Sequence, residues 1–106
     1  MARVLINLPT HAKRGEIIEI KTLIAHPMET GYRLDNTGTA IARDIINRFV
    51  CTYNGEEVFR AEFFPAIAAN PFIAFFTIAT ESGELAFSWT DDHGQTQSEI
   101  RQITVE

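Results

Sequence analysis

Apolar residues in this chain recur at every second position, and that period restricts it to extended structure. Between Gly15 and Ile24, Ile18, Ile20, Thr22 and Ile24 fall on one side of an extended backbone. Ile17, Glu19, Lys21 and Leu23 fall on the other, so this segment reads as a strand with one face toward a core. Val4, Ile6 and Leu8 repeat the pattern, closed by Pro9-Thr10. Ile46 to Tyr53 and Glu57 to Phe64 flank Asn54-Gly55, a dipeptide that tolerates positive φ at both turn positions and so joins two antiparallel strands. Phe72 to Thr80 and Gly83 to Thr90 are further strands, the second with Leu85, Phe87 and Trp89 on one face. The turn Asp91-Asp92-His93-Gly94 leads to a last strand over Gln97 to Val105.

About seven strands with short connections predict an all-β fold, an antiparallel β-sandwich that is immunoglobulin-like in strand count. At 106 residues, it forms a single domain spanning 1–106. Trp89 is the expected core anchor. Residues 32–44 are polar around Asn36-Thr37-Gly38 and read as a loop, with a short helical turn expected from Ala40 to Ile45.

The formal net charge of -5 argues against nucleic acid or an anionic membrane as the main partner. From Phe63 to Ala79 there is no charged residue, yet Pro65 and Asn70-Pro71 break the stretch, which suits two strands and a turn rather than membrane insertion. Cys51 is the single cysteine, so no internal disulfide is possible. No secretory signal pattern precedes the first strand, which by itself favours the cytoplasm.

A strand with one wet face carries polar residues at alternate positions. Phe72 to Ala79 does not: Phe72, Ala74, Phe76 and Ile78 face one way, and Ile73, Phe75 and Ala79 the other. A small sandwich has few places to bury both faces, so the segment is expected to meet another protein, through Phe63, Phe64, Phe72, Phe75 and Phe76. The alternative is that loop 32–44 covers it. Phase alone does not assign the face.

His26-Pro27-Met28-Glu29-Thr30-Gly31 sets an imidazole, a thioether and a carboxylate at the rim of a sheet. Pro27 ends the preceding strand and Gly31 permits a left-handed turn. Cys51 sits mid-strand in phase with Phe49 and Tyr53, which favours a small buried role over a reactive one. His11, His26 and His93 lie on separate turns without metal-ligand spacing, and Cys51 and Met28 lack the clustering of a blue-copper site. No nucleophile-base order, phosphate loop or paired-carboxylate spacing stands out. The residues therefore assign no catalytic group, cofactor or metal ligand and do not recommend an enzyme. A redox or metal enzyme using Cys51, or His26 with Met28, and a self-associating module stand as alternatives.

Several segments resemble one family. They are Lys21-Thr22-Leu23-Ile24-Ala25 running into His26–Gly31, and Cys51-Thr52-Tyr53-Asn54-Gly55-Glu56-Glu57-Val58-Phe59. The turn Pro65-Ala66-Ile67-Ala68-Ala69-Asn70-Pro71 and the closing Phe87-Ser88-Trp89-Thr90-Asp91-Asp92 match as well. In this order they resemble the SoxZ family, small subunits of the SoxYZ sulfur carrier of bacterial thiosulfate oxidation. The resemblance implies an immunoglobulin-like sandwich bound to SoxY, whose glycine-rich C-terminal arm carries the sulfur intermediates on a cysteine. This chain closes on Arg101-Gln102-Ile103-Thr104-Val105-Glu106 without a Gly-Gly-Cys-Gly-Gly tail, so Cys51 is not expected to be the carrier thiol. The family implies a non-catalytic scaffold in a heterodimer or higher assembly, with other enzymes of the pathway docking transiently. It also implies a periplasmic location reached by co-export with SoxY. The loop His26–Gly31 and the turn Ala69, Asn70, Pro71 are the candidates for rim contacts, against the reading that both are simply well-formed turns.

Overall fold

The computed structural model describes residues 2–65, 67 and 69–106. The turn expected from Pro65 to Pro71 includes Ala66 and Ala68, which lie outside the described residues. Eight strands run in chain order: β1 (Val4–Asn7), β2 (His11–Ala12), β3 (Ile17–Ile24), β4 (Ile46–Tyr53), β5 (Glu56–Glu62), β6 (Phe72–Ile78), β7 (Gly83–Asp91) and β8 (Thr96–Val105). They form a three-stranded sheet, β1-β3-β6, and a five-stranded sheet, β2-β8-β7-β4-β5. All pairings are antiparallel except the two-residue β2, which joins β8 in parallel. The fold is an all-β sandwich. No described residue is helical, so none belongs to a helix long and apolar enough to cross a membrane.

The period-two faces land as the sequence predicts. Ile18, Ile20, Thr22 and Ile24 of β3 meet Leu85, Phe87 and Trp89 of β7 in the core, all essentially without solvent contact. Phe49 sits at the centre, its ring 5.2 Å from Trp89 and 6.1 Å from Phe75. Phe59 of β5 stacks on Phe75 of β6 at 4.4 Å, closing the seam between the outermost strands of the two sheets. Such offset aromatic contacts contribute beyond the area they bury.

Asn54 and Gly55 both take positive φ, 49° and 87°, as a type I′ hairpin requires. The Asn54 side chain also reaches β7: its Oδ1 accepts from Glu84 N–H at 2.9 Å. Tyr53 ties β4 to the β6–β7 connection, donating to Glu81 C=O and accepting from Thr80 N–H and Glu81 N–H.

One expectation is corrected and one alternative falls. Residues 40–45 form no helical turn; Ala40 bridges Leu34 and Asp44 bridges Glu29 instead. The backbone pairs locally because Asp35 caps the tip, accepting from Thr37 N–H and Thr39 N–H. Nor does loop 32–44 cover the outer face of β6. Tyr32 and Leu34 stand in solvent on a narrow arm, and Phe72 and Phe76 remain 60% and 64% exposed.

Candidate functional site

β6 begins where β3 ends, and β4 and β8 begin where β7 ends, because each pair runs antiparallel; a cleft lined by Ile24, Ile46, Asp91 and Thr96 puts these ends of the two sheets at one pole. That pole gathers the chemically distinctive residues. His26 follows β3 and is held from two sides: its N–H donates to Asn70 Oδ1 at 2.9 Å and its C=O accepts from Asn70 N–H at 2.7 Å. The His26–Gly31 loop and the turn at Ala69, Asn70 and Pro71 are therefore one structural unit. Asn70 and Met28 both hold positive φ, near 54°, a conformation that costs a non-glycine residue unless its neighbours fix it.

For Met28 those neighbours are visible. Its N–H donates to His26 Nδ1 at 3.0 Å, and its buried sulfur accepts from Ile46 N–H at 3.2 Å. The thioether is thus an internal brace rather than a surface group. Glu29 exchanges two backbone hydrogen bonds with Asp44, both 2.9 Å, and its carboxylate pairs with Arg33. That pairing holds Glu29 below the usual carboxylate range.

Beyond Asp44 the loop closes onto the β7–β8 turn. Asp92 accepts from Arg43 Nε at 2.8 Å, Asn47 Nδ2 at 3.0 Å and Ile45 N–H at 3.2 Å. These donors, Arg43 first, bring its pKa down to about 2. Asp91 Oδ1 accepts from His93 N–H and Gln95 N–H, which shapes the turn. His26 Nε2 lies 4.0 Å from Asp44 Oδ1, and His93 Nδ1 lies 3.3 Å from the same oxygen. His26, Asp44 and Asp91 line a cleft of about 630 Å³, with Ile24, Ile46 and Trp89 behind them. Sequence spacing concealed this cluster, since His26 and His93 are far apart along the chain and belong to different sheets; the packing of the two sheets unites them.

The five phenylalanines proposed for partner contact divide between two environments. Phe63 and Phe75 are 8% and 5% exposed and belong to the core, because alternation turns Phe75 inward with Ile73. Phe72 and Phe76 point outward from β6, and Phe64 is exposed just beyond β5. The outer face of β1-β3-β6 is ordered by register. Leu5, Leu23 and Phe72 form one row across the sheet, Glu19 faces Phe76, and Ile17 faces Ile78. Ile78 shares its face with Phe72 and Phe76 as the alternation of β6 predicts, whereas Leu5 and Ile17 join them only through the strand register.

Cys51 is fully buried among these aromatics, and burial pushes its thiol up to about 12. A thiol in that state is not a nucleophile near neutral pH.

Comparison with solved structures places the fold beside two others. A superoxide reductase (neelaredoxin) from Ignicoccus hospitalis superposes with a TM-score of 0.77 at 18% identity, covering 99% of this chain and 82% of that one. The sulfur carrier protein SoxY from Chlorobium limicola f thiosulfatophilum superposes with a TM-score of 0.66 at 12% identity, covering 97% of this chain and 78% of that one. At these identities the likeness is one of fold. No curated protein sequence matches the chain. The family model for the sulphur oxidation protein SoxZ matches residues 6–101, nearly the whole of it. The chain belongs to the SoxZ family.

Proposed function

We propose that this chain is the non-catalytic scaffold subunit of a SoxYZ-type sulfur carrier, pairing with SoxY and helping present the SoxY cysteine arm to the enzymes of thiosulfate oxidation. The observation that carries the pairing is the uncovered outer face of β1-β3-β6, apolar at both ends with the Glu19–Lys21 pair between them. Leu5, Ile17, Phe72, Phe76 and Ile78 are each more than half exposed there, on a sheet that nothing else in the described chain covers. Desolvating such side chains against a partner is the main source of affinity in protein interfaces. Phe64, beside Arg48 and Glu62, is a further contact candidate outside that sheet. The fused His26–Gly31 and Ala69–Pro71 pole is the proposed rim at which pathway enzymes dock. We propose that the working pair acts in the periplasm, reached by co-export with SoxY.

Pairing is tested by co-expression with tagged SoxY. Phe76→Glu, and the double change Phe76→Glu with Ile78→Glu, should abolish co-purification while leaving a folded chain, since neither side chain enters the core. Recovery of the pair with both charges in place would move the interface elsewhere. The absence of catalysis is tested at the thiol: native Cys51 should resist alkylation for hours and react within minutes in denaturant. Rapid native labelling would favour a thiol-based activity instead.

A further inference from the structure

The cluster at the pole has a chemistry that subunit pairing does not use. Asp44 Oδ1 has no solvent contact and finds no hydrogen-bond partner among the described residues. A buried carboxylate oxygen left without a partner is costly, and more so when charged. Two imidazoles face that oxygen, His93 Nδ1 at 3.3 Å and His26 Nε2 at 4.0 Å. Single ligand atoms of His26, Asp44 and Asp91 lie within 4.8 Å of one another. The remaining acid nearby, Asp92, is already neutralised by Arg43. Asp91 Oδ1 already accepts from His93 N–H and Gln95 N–H, whereas Asp44 Oδ1 accepts from none.

We propose that His26, Asp44 and Asp91 bind one divalent first-row transition ion such as Zn²⁺, with His93 available as a fourth ligand. A mixed set of imidazole nitrogen and carboxylate oxygen suits these ions, whereas Mg²⁺ and Ca²⁺ favour all-oxygen shells. The ion would supply Asp44 Oδ1 with a partner and join three segments: the loop after β3, the residues before β4 and the end of β7. One cost identifies the ligand atom. His26 Nδ1 accepts from Met28 N–H, so the neutral ring carries its proton on Nε2, the atom facing Asp44. Coordination at Nε2 moves the ring proton to Nδ1 and releases the Met28 amide. Metal loading should therefore be visible at Met28, a residue that touches no metal.

The test is a titration of the chelator-stripped full-length chain with Zn²⁺, and with Co²⁺ as a spectroscopic probe. One ion should bind per chain, with visible Co²⁺ absorption bands, and millimolar Mg²⁺ or Ca²⁺ should not compete. Asp44→Asn should weaken Zn²⁺ binding roughly 100-fold, and His11→Gln, at the opposite pole, should leave it unchanged. In nitrogen-resolved spectra the His26 imidazole and the Met28 amide should shift together while His11 stays put. The proposal is overturned if no saturable one-to-one binding occurs below about 100 µM, if Asp44→Asn binds as tightly as the parent, or if only His11 responds. Failure here leaves the SoxY pairing untouched, because none of these side chains lies on the outer face of β1-β3-β6.

Discussion

Asp92 shows how one side chain can set the geometry of a whole pole. Its carboxylate collects donors from Arg43, Ile45 and Asn47, so the start of β4 and the β7–β8 turn are fixed to each other through a single group. Its pKa of about 2 in the fold lies below the ordinary 3.8. A depressed pKa means that this stabilisation is complete above about pH 4 and disappears as pH falls through about 2. Asp92→Asn should cost about 1.5–3 kcal/mol at neutral pH, the range for hydrogen bonds to a charged group. The gap between variant and parent should close near pH 2. Urea unfolding at pH 7 and pH 1.5 measures both, and a gap of full size at the lower pH would remove the carboxylate from this role. Met28 teaches a related lesson. From sequence its thioether looks like a presented ligand, yet its sulfur is turned inward to Ile46 N–H, a contact that only the fold creates.

Among the elements, the β4–β5 hairpin was the most legible in the sequence, because Asn54-Gly55 states its own turn type. The strand faces of β3 and β7 were equally plain, since their alternation is clean. What could not be read was the inward or outward phase of β6: apolar residues occupy both of its faces, so alternation carries no sign. Phe75 was accordingly placed with the partner surface when it belongs to the core. The helical turn expected at 40–45 fails for a different reason: Ile41 N–H donates to Arg33 C=O and Asp44 exchanges two bonds with Glu29, so the backbone partners lie outside the segment. The pole cluster was illegible because its members are brought together by the packing of the two sheets. Gly83, at the start of β7, offers a test of element coupling. A Cβ there would run into the Asn54 amide, which links the hairpin tip to Glu84. Gly83→Ala should displace that amide and lower stability by about 1–2 kcal/mol. In the background of Asn54→Gly, which removes the obstructing side chain, the same substitution should cost much less. Equal costs in both backgrounds would show that Asn54 is not the obstacle.

For the molecule as a whole, the two faces of the sandwich are unequal. The outer strand of the larger sheet, β5, carries Glu56, Glu57, Arg60 and Glu62, charges that discourage another strand from adding to its edge. The outer strand of the smaller sheet, β6, carries none. Hydrogen exchange of the chain with and without SoxY should therefore slow amides of β6 and leave those of β5 unchanged. Protection confined to β5 or to the arm at residues 32–43 would contradict the proposed pairing.

The chargeless edge of β6 has a consequence for supply. A free β-edge with exposed phenylalanines is a template for unintended pairing, in proportion to how long and how abundantly the subunit exists alone. On the proposed pairing, synthesis balanced with SoxY should set the lifetime of this chain in the cell, and any excess should be lost to aggregation or proteolysis.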